Sequence, residues 1–264
     1  MYREKHIYRI LKGRFDNSPV ERFKTMSHDE KRKYKMVLGH MPFGLHEYIE
    51  GPSNYIGFLR DPVKRVISLY HYFKRRPETV IHERVQTISL ESFSESNLIA
   101  DLDNGQVRYL CGIEELGVGE LTASITESHL DLAKSNLENH FAAISITERF
   151  NESLILLNRN LGWDVLHYRQ ANVNPNKDKV KVSDEAIQLI AERNKFDIAL
   201  YEYAIQLFEK QIEACGPEFK DQLAAFEKKN AQLNRFVPFY FSMDKAVNIK
   251  LNRGIRKLKN QFGQ

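Results

Sequence analysis

Residues 54–77 constrain the fold of this chain more than any other segment, because an apolar run there changes directly into a helical pattern. The run from Tyr55 to Leu59 has the length and composition of a buried strand. Between the two patterns, Asp61 is a favourable N-cap residue and Pro62 a favourable first helical residue. The segment therefore predicts a strand that leads straight into a helix, the unit from which α/β folds are built. The apolar positions of the helix are Val63, Val66, Ile67, Tyr70 and Phe73.

The same junction brings two candidate phosphate ligands close together. Arg60 ends the predicted strand, and Ser68 lies about two turns into the predicted helix. A guanidinium keeps its charge and donates hydrogen bonds in a fixed fork, and a serine hydroxyl supplies a further donor. We therefore expect Arg60 and Ser68 to bind a phosphate group together. The alternative is a structural ion pair of Arg60 beside a capped helix.

The string RDPVKRVISLY, residues 60–70, resembles the 3′-phosphate-binding motif of carbohydrate sulfotransferases. These enzymes use 3′-phosphoadenosine 5′-phosphosulfate (PAPS) as sulfuryl donor and release PAP. The likeness is greatest to the group of the heparan uronosyl 2-O-sulfotransferases and many bacterial relatives. In that family the motif arginine and the serine eight residues later hold the 3′-phosphate, which implies this role for Arg60 and Ser68. The resemblance also implies a P-loop-NTPase-like parallel sheet flanked by helices.

Further segments resemble other blocks of the family and follow in the family's order. They are MVLGHMPFGLH (36–46), DNGQVRYLCG (103–112), FAAISITERFNESLILLNRNLGW (141–163) and NKFDIALYEYA (194–204). The second of these blocks implies contact with the acceptor sugar or the donor for Asn104, Gln106 and Arg108. Their spacing, one polar side chain every second residue, equally suits an exposed strand or the start of a helix.

His40 is the predicted general base. It follows a short predicted strand, and Gly39 permits close approach of the backbone at that point. An unperturbed imidazole titrates near neutral pH, which suits proton abstraction. The resemblance implies the same role, since the histidine of the equivalent Gly-His is the proposed base of the 2-O-sulfotransferase-like group. The alternatives are a buried structural role for His40, and Glu47 as an acidic base; His46 is expected to fix the loop.

The resemblance implies an enzyme that transfers a sulfuryl group from PAPS to a hydroxyl of a carbohydrate acceptor. The family's phosphate-binding loop, Pro-Lys-x-Gly-x-Thr, has no counterpart here, and the early Gly13 has no apolar strand evident before it. We therefore expect a chain that lacks the N-terminal strand and loop by truncation, and whose activity requires them. The alternative is a non-catalytic remnant that acts as a glycan- or membrane-binding scaffold.

Strands that alternate with helices favour a mostly parallel sheet. Strands are predicted at 36–39, 54–59, 141–146 and 164–168, and helices at 1–35, 62–74, 91–101, 150–161, 183–213, 217–233 and 243–261. We expect an α/β domain over residues 1–215 and a helical extension over 216–264. Ligands of such sheets bind at the carboxyl ends of the strands, so His40, Arg60 and the cluster 147–149 are expected on one rim. Within that cluster a helix cap and a Glu148–Arg149 ion pair are the favoured interpretation.

Composition narrows the classes of partner. Hydrophobic residues make up 42% of the 264 residues, and the net charge is +4 with both signs interspersed, which does not indicate nucleic acid. A mildly basic surface suits an anionic donor and an acidic glycan. Cys111 and Cys215 cannot form a disulfide framework or a zinc site, and no ligand spacing indicates a metal.

The sequence also carries an expectation about location. The N-terminus has no apolar signal core and no run has the length of a membrane span, so we expect a cytoplasmic bacterial enzyme. The predicted helix 243–261 has one apolar stripe and a basic remainder. Peripheral contact with an anionic membrane is the alternative to packing of this helix on the core.

Overall fold

A computed structural model describes residues 7–10, 18–113, 123–163, 168, 182–232 and 234. The chain divides into two compact units, Met1–Trp163 with Asn176–Cys215, and Asp164–Pro175 with Gly216–Gln264. The strands and helices of the first unit are β1 (Ile7–Ile10), α1 (Ser18–Thr25), α2 (His28–Lys31), β2 (Met36–Gly39), α3 (Pro62–Lys74), α4 (His82–Gln86), α5 (Leu90–Glu95), α6 (Gly105–Leu110), α7 (Glu127–His140), α8 (Phe150–Leu161), α9 (Asp184–Arg193) and α10 (Lys195–Ala214). Single 3-10 turns form at Leu45–Tyr48, Ala100–Leu102 and Thr147–Arg149.

The strands pair in parallel, as an α/β fold requires. β1 pairs with β2, with Ile7 opposite Met36 and Ile10 opposite Gly39. The segments 55–59 and 141–146 pair in parallel through two bridges, Tyr55 with Phe141 and Leu59 with Ile146. Between these bridges the second segment contains one residue more than the first, which interrupts the ladder as a β-bulge does. The predicted strand at 36–39 is confirmed, whereas 54–59 and 141–146 pair only through these two isolated bridges and do not form the continuous strands that the sequence predicted. A P-loop-NTPase-like sheet remains a prediction.

The sequence predicted that residues 1–35 are helical throughout, and this prediction is wrong. Residues 7–10 form β1, whose Ile10 is buried with Val20 and Phe23. The partner of this strand, β2, lies 29 residues further along the chain, so the local charge pattern contains no sign of the pairing. The expectation that no strand precedes Gly13 is also wrong, because β1 ends three residues before it. Helices α1 and α2 account for the helical part of this region.

The predicted helices at 62–74 and 150–161 are found with the predicted bounds, as α3 and α8. The predicted helix 183–213 is broken at Asn194 into α9 and α10, and 91–101 forms the shorter α5 followed by a 3-10 turn. Helices α4, α6 and α7 were not predicted. In the second unit, residues 218–232 are helical. The predicted strand at 164–168, apart from its last residue, and the helix at 243–261 lie outside the described residues.

The core of the first unit holds α3 in place. Its residues Val66, Leu69, Tyr70 and Phe73 are buried in a cluster with side chains of α4, α5 and α9. Burial of each large apolar side chain contributes about 1.5–3 kcal/mol, so this face anchors the helix firmly. The opposite face of α3 and the residue before its cap are thereby held at the surface. Of the described helices, none combines the length and the apolar character needed to cross a membrane.

Candidate functional site

Only Arg60 and Asp61 separate the bridged segment 55–59 from α3, so the direct turn into the helix that the sequence predicted is confirmed. The Leu59 N–H donates to the Ser145 carbonyl at 2.8 Å, and the Leu59 carbonyl accepts from the Thr147 N–H at 2.8 Å. Asp61 then caps α3, with its Oδ1 accepting from the Lys64 N–H at 2.9 Å. Arg60 lies between these two fixed points, and its side chain is 31% exposed. A ligand can therefore reach the guanidinium.

Gln106 holds the main chain of Arg60 from a distant part of the sequence. The Arg60 N–H donates to Gln106 Oε1 at 2.8 Å, and Gln106 Nε2 donates to the Arg60 carbonyl at 2.9 Å. The Gln106 residue itself is only 7% exposed. Its carboxamide thus satisfies both polar groups of one residue, as the backbone of a neighbouring strand would.

The position of Gln106 is set by a carboxylate at the start of α6. Asp197, which is fully buried on α10, accepts from the Gln106 N–H at 3.0 Å and from the Val107 N–H at 2.8 Å. These are the otherwise unpaired donors of a helix N-terminus. Burial raises the pKa of Asp197, against the lowering effects of Arg65 and of the two N–H groups.

The start of α10 is capped in return by Asn104, the residue before α6. Asn104 Oδ1 accepts from the N–H groups of Phe196 at 2.9 Å and Asp197 at 3.1 Å. Its backbone is left-handed, with φ 49°, a conformation that asparagine tolerates better than most residues. Asn194, where the predicted long helix breaks, accepts from the Asn104 N–H at 3.0 Å. Helices α6 and α10 therefore cap each other's N-termini.

A buried ion pair joins α3 to the same region. Arg65 pairs with Asp101 and also donates from Nη1 to the Asp101 carbonyl at 2.8 Å. The guanidinium packs on Gly105, where a Cβ atom would lie 2.7 Å from Nη2. Glycine at this position is what allows Arg65 to lie against the first turn of α6.

Glu148 faces Arg60 from the other side. Its Oε1 lies 4.0 Å from Arg60 Nε and accepts from the Asp61 N–H at 3.4 Å, and its Oε2 accepts from the Tyr201 hydroxyl at 3.0 Å. Burial, and then the charge of Glu148, raise the pKa of Tyr201. Arg60 Nε is buried and has no hydrogen-bond partner among the described residues. The pairing with Glu148 therefore leaves this buried donor without a hydrogen bond to any described residue.

This arrangement corrects the expectation for residues 147–149. The carboxylate of Glu148 faces Arg60, whereas Arg149 is bound by Glu152 and Glu209. The predicted side-chain cap of α8 is not formed either. Instead, the first turn of α8 is tied to the strand by Ser153, whose hydroxyl accepts from the Ile146 N–H at 2.9 Å. The difference arises because Glu148 meets Arg60 and Tyr201, which are remote in sequence, and Arg149 meets Glu152 in the first turn of α8 as well as the remote Glu209.

The predicted substrate residues Asn104, Gln106 and Arg108 lie in the interior. Arg108 is completely buried and donates to the carbonyls of Asp103 and Ala123, each at 2.8 Å. The side chains of the other two are bound to the main chain of Arg60 and of α10, as described above. Contact of the three with substrate remains a prediction, and their observed hydrogen bonds are all within the protein.

Ser68 lies on α3, half-buried, two turns beyond Arg60. Lys64, with a side chain 60% exposed, stands one turn before it on the same face of the helix. The exposed His40 follows β2 directly. Gly39 faces β1 closely, and a Cβ atom there would lie 2.5 Å from the Ile10 carbonyl oxygen. Close backbone approach at Gly39 is thus confirmed; the catalytic role of His40 remains a prediction.

A second histidine in the same segment is held by Tyr55. The Tyr55 hydroxyl oxygen accepts from the N–H groups of Gly44 at 3.1 Å and His46 at 3.0 Å, and lies 2.9 Å from His46 Nδ1. Burial raises the pKa of Tyr55. The His46 ring also packs against His140, with ring centroids 4.7 Å apart. The sequence had suggested that His46 fixes the loop, and the hydrogen bonds show how loop and ring are fixed together.

A cleft of about 320 Å³ lies beside this loop. Its walls come from α1, the residues after His40, the end of α6 and α7, and include Lys24, Glu47, Tyr48, Cys111 and Asn136. The Tyr48 ring is 40% exposed, and the ammonium groups of Lys24 and Lys31 lie 5.4 and 5.9 Å from its centre. The wall of the cleft therefore combines the aromatic Tyr48 with a lysine and a carboxylate, Lys24 and Glu47.

Comparison with known proteins gives a consistent family. The model of the galactose-3-O-sulfotransferase family matches residues 15–245. The chain is 23% identical over 197 residues to the galactosylceramide sulfotransferase of Mus musculus, covering 70% of this chain and 45% of that protein. It is 30% identical over 183 residues to heparan-sulfate 6-O-sulfotransferase 3 of Mus musculus, covering 60% and 38%. A heparin sulfate O-sulfotransferase of Drosophila melanogaster is 26% identical over 210 residues, covering 72% and 58%.

The chain spans less than half the length of the two mouse relatives, 45% of the galactosylceramide sulfotransferase and 38% of the heparan-sulfate 6-O-sulfotransferase 3. No solved structure matches it significantly. The group suggested by the motif, the 2-O-sulfotransferases, is not the one whose family model matches, and the relatives named are animal proteins, so a bacterial origin remains a prediction. The broader assignment from RDPVKRVISLY and its companion blocks is confirmed: the chain belongs to the galactose-3-O-sulfotransferase family of carbohydrate sulfotransferases.

Proposed function

We propose that this chain transfers a sulfuryl group from PAPS to a hydroxyl of a carbohydrate, and that Arg60 and Ser68 hold the 3′-phosphate of the donor. The observation that carries the proposal is the state of Arg60. Its main chain is fixed on both sides, its side chain is 31% exposed, and its buried Nε lacks a partner within the described part of the chain. A fixed guanidinium with a spare donor fits a phosphate oxygen.

The roles of the residues follow from the chemistry of sulfuryl transfer. Arg60 and Ser68 bind and orient the donor through its 3′-phosphate, away from the reacting sulfur. His40, exposed at the end of β2, takes the proton of the acceptor hydroxyl as that oxygen attacks the sulfur of PAPS and PAP leaves. Positive groups at the site stabilise the charge that develops on the sulfonate and phosphate oxygens.

His46 is the second candidate for the base. A catalytic imidazole needs a third group that orients it, and the Tyr55 hydroxyl, 2.9 Å from Nδ1, supplies one. His40 has the motif position in its favour, and His46 has the oriented ring. The two assignments predict different variants to be inactive, so one experiment separates them.

The acceptor is proposed to be a carbohydrate or a glycolipid, as the names of the relatives suggest. The cleft beside residues 44–48 is the proposed place for it, because Tyr48 offers a ring on which a sugar can stack. An acidic group on that acceptor would pair with Lys24, whose ammonium lies 5.4 Å from the centre of the Tyr48 ring at the cleft wall.

Calorimetric titration with PAP tests the donor half of the proposal. Arg60→Ala should weaken PAP binding by about 2 kcal/mol, or roughly 30-fold, the scale of a charge-assisted contact. Arg32→Ala is the matched control, because Arg32 is an exposed arginine bound to Asp29 and Glu50 away from α3. Equal PAP affinity of the Arg60→Ala variant and the parent chain would contradict the assignment. Absence of PAP binding by the parent chain would favour the non-catalytic alternative.

Single-turnover transfer of labelled sulfate from PAPS to heparan sulfate and to galactosylceramide tests the base. We expect His40→Ala to bind PAP as the parent chain does and to lose turnover by about 100-fold or more, the scale of general base catalysis. His46→Ala and Tyr55→Phe, assayed in parallel, should keep most of the activity. Loss of turnover in these two with retention in His40→Ala would transfer the role to His46.

A further inference from the structure

We infer that Gln106 is the positioning residue of the Arg60 site: its carboxamide fixes the main chain at Arg60 and so sets the direction of the guanidinium. This inference rests on the proposed function, because it takes Arg60 as the ligand of the donor's 3′-phosphate. Gln106 is buried and bonded to the protein on both sides of its amide, so it acts on a bound phosphate through Arg60 rather than by touching it.

The need for such a residue follows from the way the strand ends. Leu59 is the last residue of its segment that bridges to the neighbouring segment, through Ile146. The helical hydrogen bonds of α3 begin with the Asp61 cap and the Arg65 N–H, which donates to the Asp61 carbonyl at 2.8 Å. The N–H and C=O groups of Arg60 therefore belong neither to the bridges of the segment 55–59 nor to the helical hydrogen bonds of α3. Gln106 supplies the acceptor for the N–H group and the donor for the C=O group.

The support for Gln106 is unusually rigid. Its own N–H is held by Asp197, and α6 and α10 cap each other, so the carboxamide extends from a doubly fixed helix start. Arg65 ties the same helix start to α3 through Asp101. A mobile glutamine at the surface would lose side-chain conformational entropy when it formed these hydrogen bonds. A buried glutamine on this support has already lost that freedom, and can hold Arg60 in one orientation.

The side chain of Arg60 has a separate restraint, Glu148, at 4.0 Å. We therefore expect Gln106 to fix the position of the Arg60 main chain and Glu148 to fix the direction in which the guanidinium points. Loss of the carboxamide leaves an N–H and a C=O of Arg60 without partners, and the residue then moves to reach water. The phosphate contact weakens even though no ligand-touching group has been removed.

The test is PAP titration of Gln106→Met, which keeps the length and volume of the side chain but removes both hydrogen bonds. Gln211→Met is the matched control, because Gln211 is a half-buried amide whose Oε1 accepts from the main-chain N–H of Ile144 at 3.1 Å and not from Arg60. We expect PAP affinity to fall about tenfold in Gln106→Met and to stay within about twofold of the parent in Gln211→Met. Thermal melts show whether both variants fold.

The double variant Arg60→Ala/Gln106→Met distinguishes positioning from general damage. If Gln106 acts through Arg60, its replacement costs no further affinity once the guanidinium is absent. Equal losses in both backgrounds would overturn the inference, as would parent-like affinity of Gln106→Met beside a weakened Arg60→Ala. Parent-like affinity of Arg60→Ala itself would instead contradict the proposed donor site, and the inference with it.

Amide hydrogen exchange at residue 60 provides a readout that needs no ligand. It can also be measured if Gln106→Met lowers the melting temperature. The Arg60 N–H should lose its protection in Gln106→Met, while the Leu59 N–H, bonded to the Ser145 carbonyl, keeps its protection. Unchanged protection at residue 60 would mean that Gln106 does not hold the main chain there, and would overturn the inference.

Discussion

Arg60 shows how one residue acquires a function from groups that are remote in the chain. Its neighbours in sequence provide a bridged segment and a helix cap, but its main-chain hydrogen bonds come from Gln106, 46 residues away, and its ion-pair partner is Glu148. The guanidinium is left with a buried donor that nothing in the described protein satisfies. An unsatisfied donor on a well-fixed residue is costly to keep, which is why such groups are found where a ligand supplies the missing acceptor.

The two cysteines offer a residue-scale test of the packing around the cleft. Cys111 lies at its wall, and burial raises the pKa of its thiol to about 11, in spite of a hydrogen bond to the backbone. Because only the thiolate reacts, Cys111 in a Cys215→Ser variant should react slowly with a disulfide reagent at pH 8. Its rate should rise about tenfold per pH unit up to about pH 11.

The control for this measurement is the Cys111→Ser variant, which retains Cys215 and identifies the second reacting thiol. A Cys111 that reacts at pH 8 as fast as a small free thiol would contradict the burial described at the end of α6.

At the scale of elements, α6 and α10 depend on each other. Helix α6 spans only Gly105–Leu110, far too short to persist alone in water. Its first N–H groups are bound by Asp197, and the first N–H groups of α10 by Asn104. Each helix thus satisfies the end that the other cannot satisfy for itself. The main chain of Arg60 is fixed through this pair, because Gln106, which binds it, belongs to the first turn of α6.

Replacement of Asn104 tests the mutual capping. Asn104→Ala removes the acceptor of two N–H groups and also places alanine at φ 49°. We therefore expect the free energy of unfolding, measured in urea, to fall by about 2–3 kcal/mol. Asn104→Gly removes the same acceptor but suits the left-handed backbone, and should lose less. Equal stability of the alanine variant and the parent chain would show that the cap does not support α10.

At the scale of the whole molecule, four sequence blocks that lie far apart meet around Arg60 within the first unit. The blocks around residues 60, 106, 148 and 197–201 are linked by hydrogen bonds in that unit. The convergence explains why similarity to the family extends along most of the chain, from residue 15 to 245, rather than residing in one motif. The proposed phosphate motif is therefore held in place by the other blocks.

The sequence by itself determined the local elements: the strand-to-helix turn at Arg60, the bounds of α3 and α8, and the family. These follow from capping residues and from apolar spacing within one stretch of chain, where cause and effect are local. It did not determine β1, the break at Asn194 or α6, since each depends on a partner outside its own segment. For the same reason only the tertiary structure showed that Gln106 binds Arg60 and that Glu148 faces it. Contacts between residues 46 and 88 positions apart leave no periodic trace in a sequence.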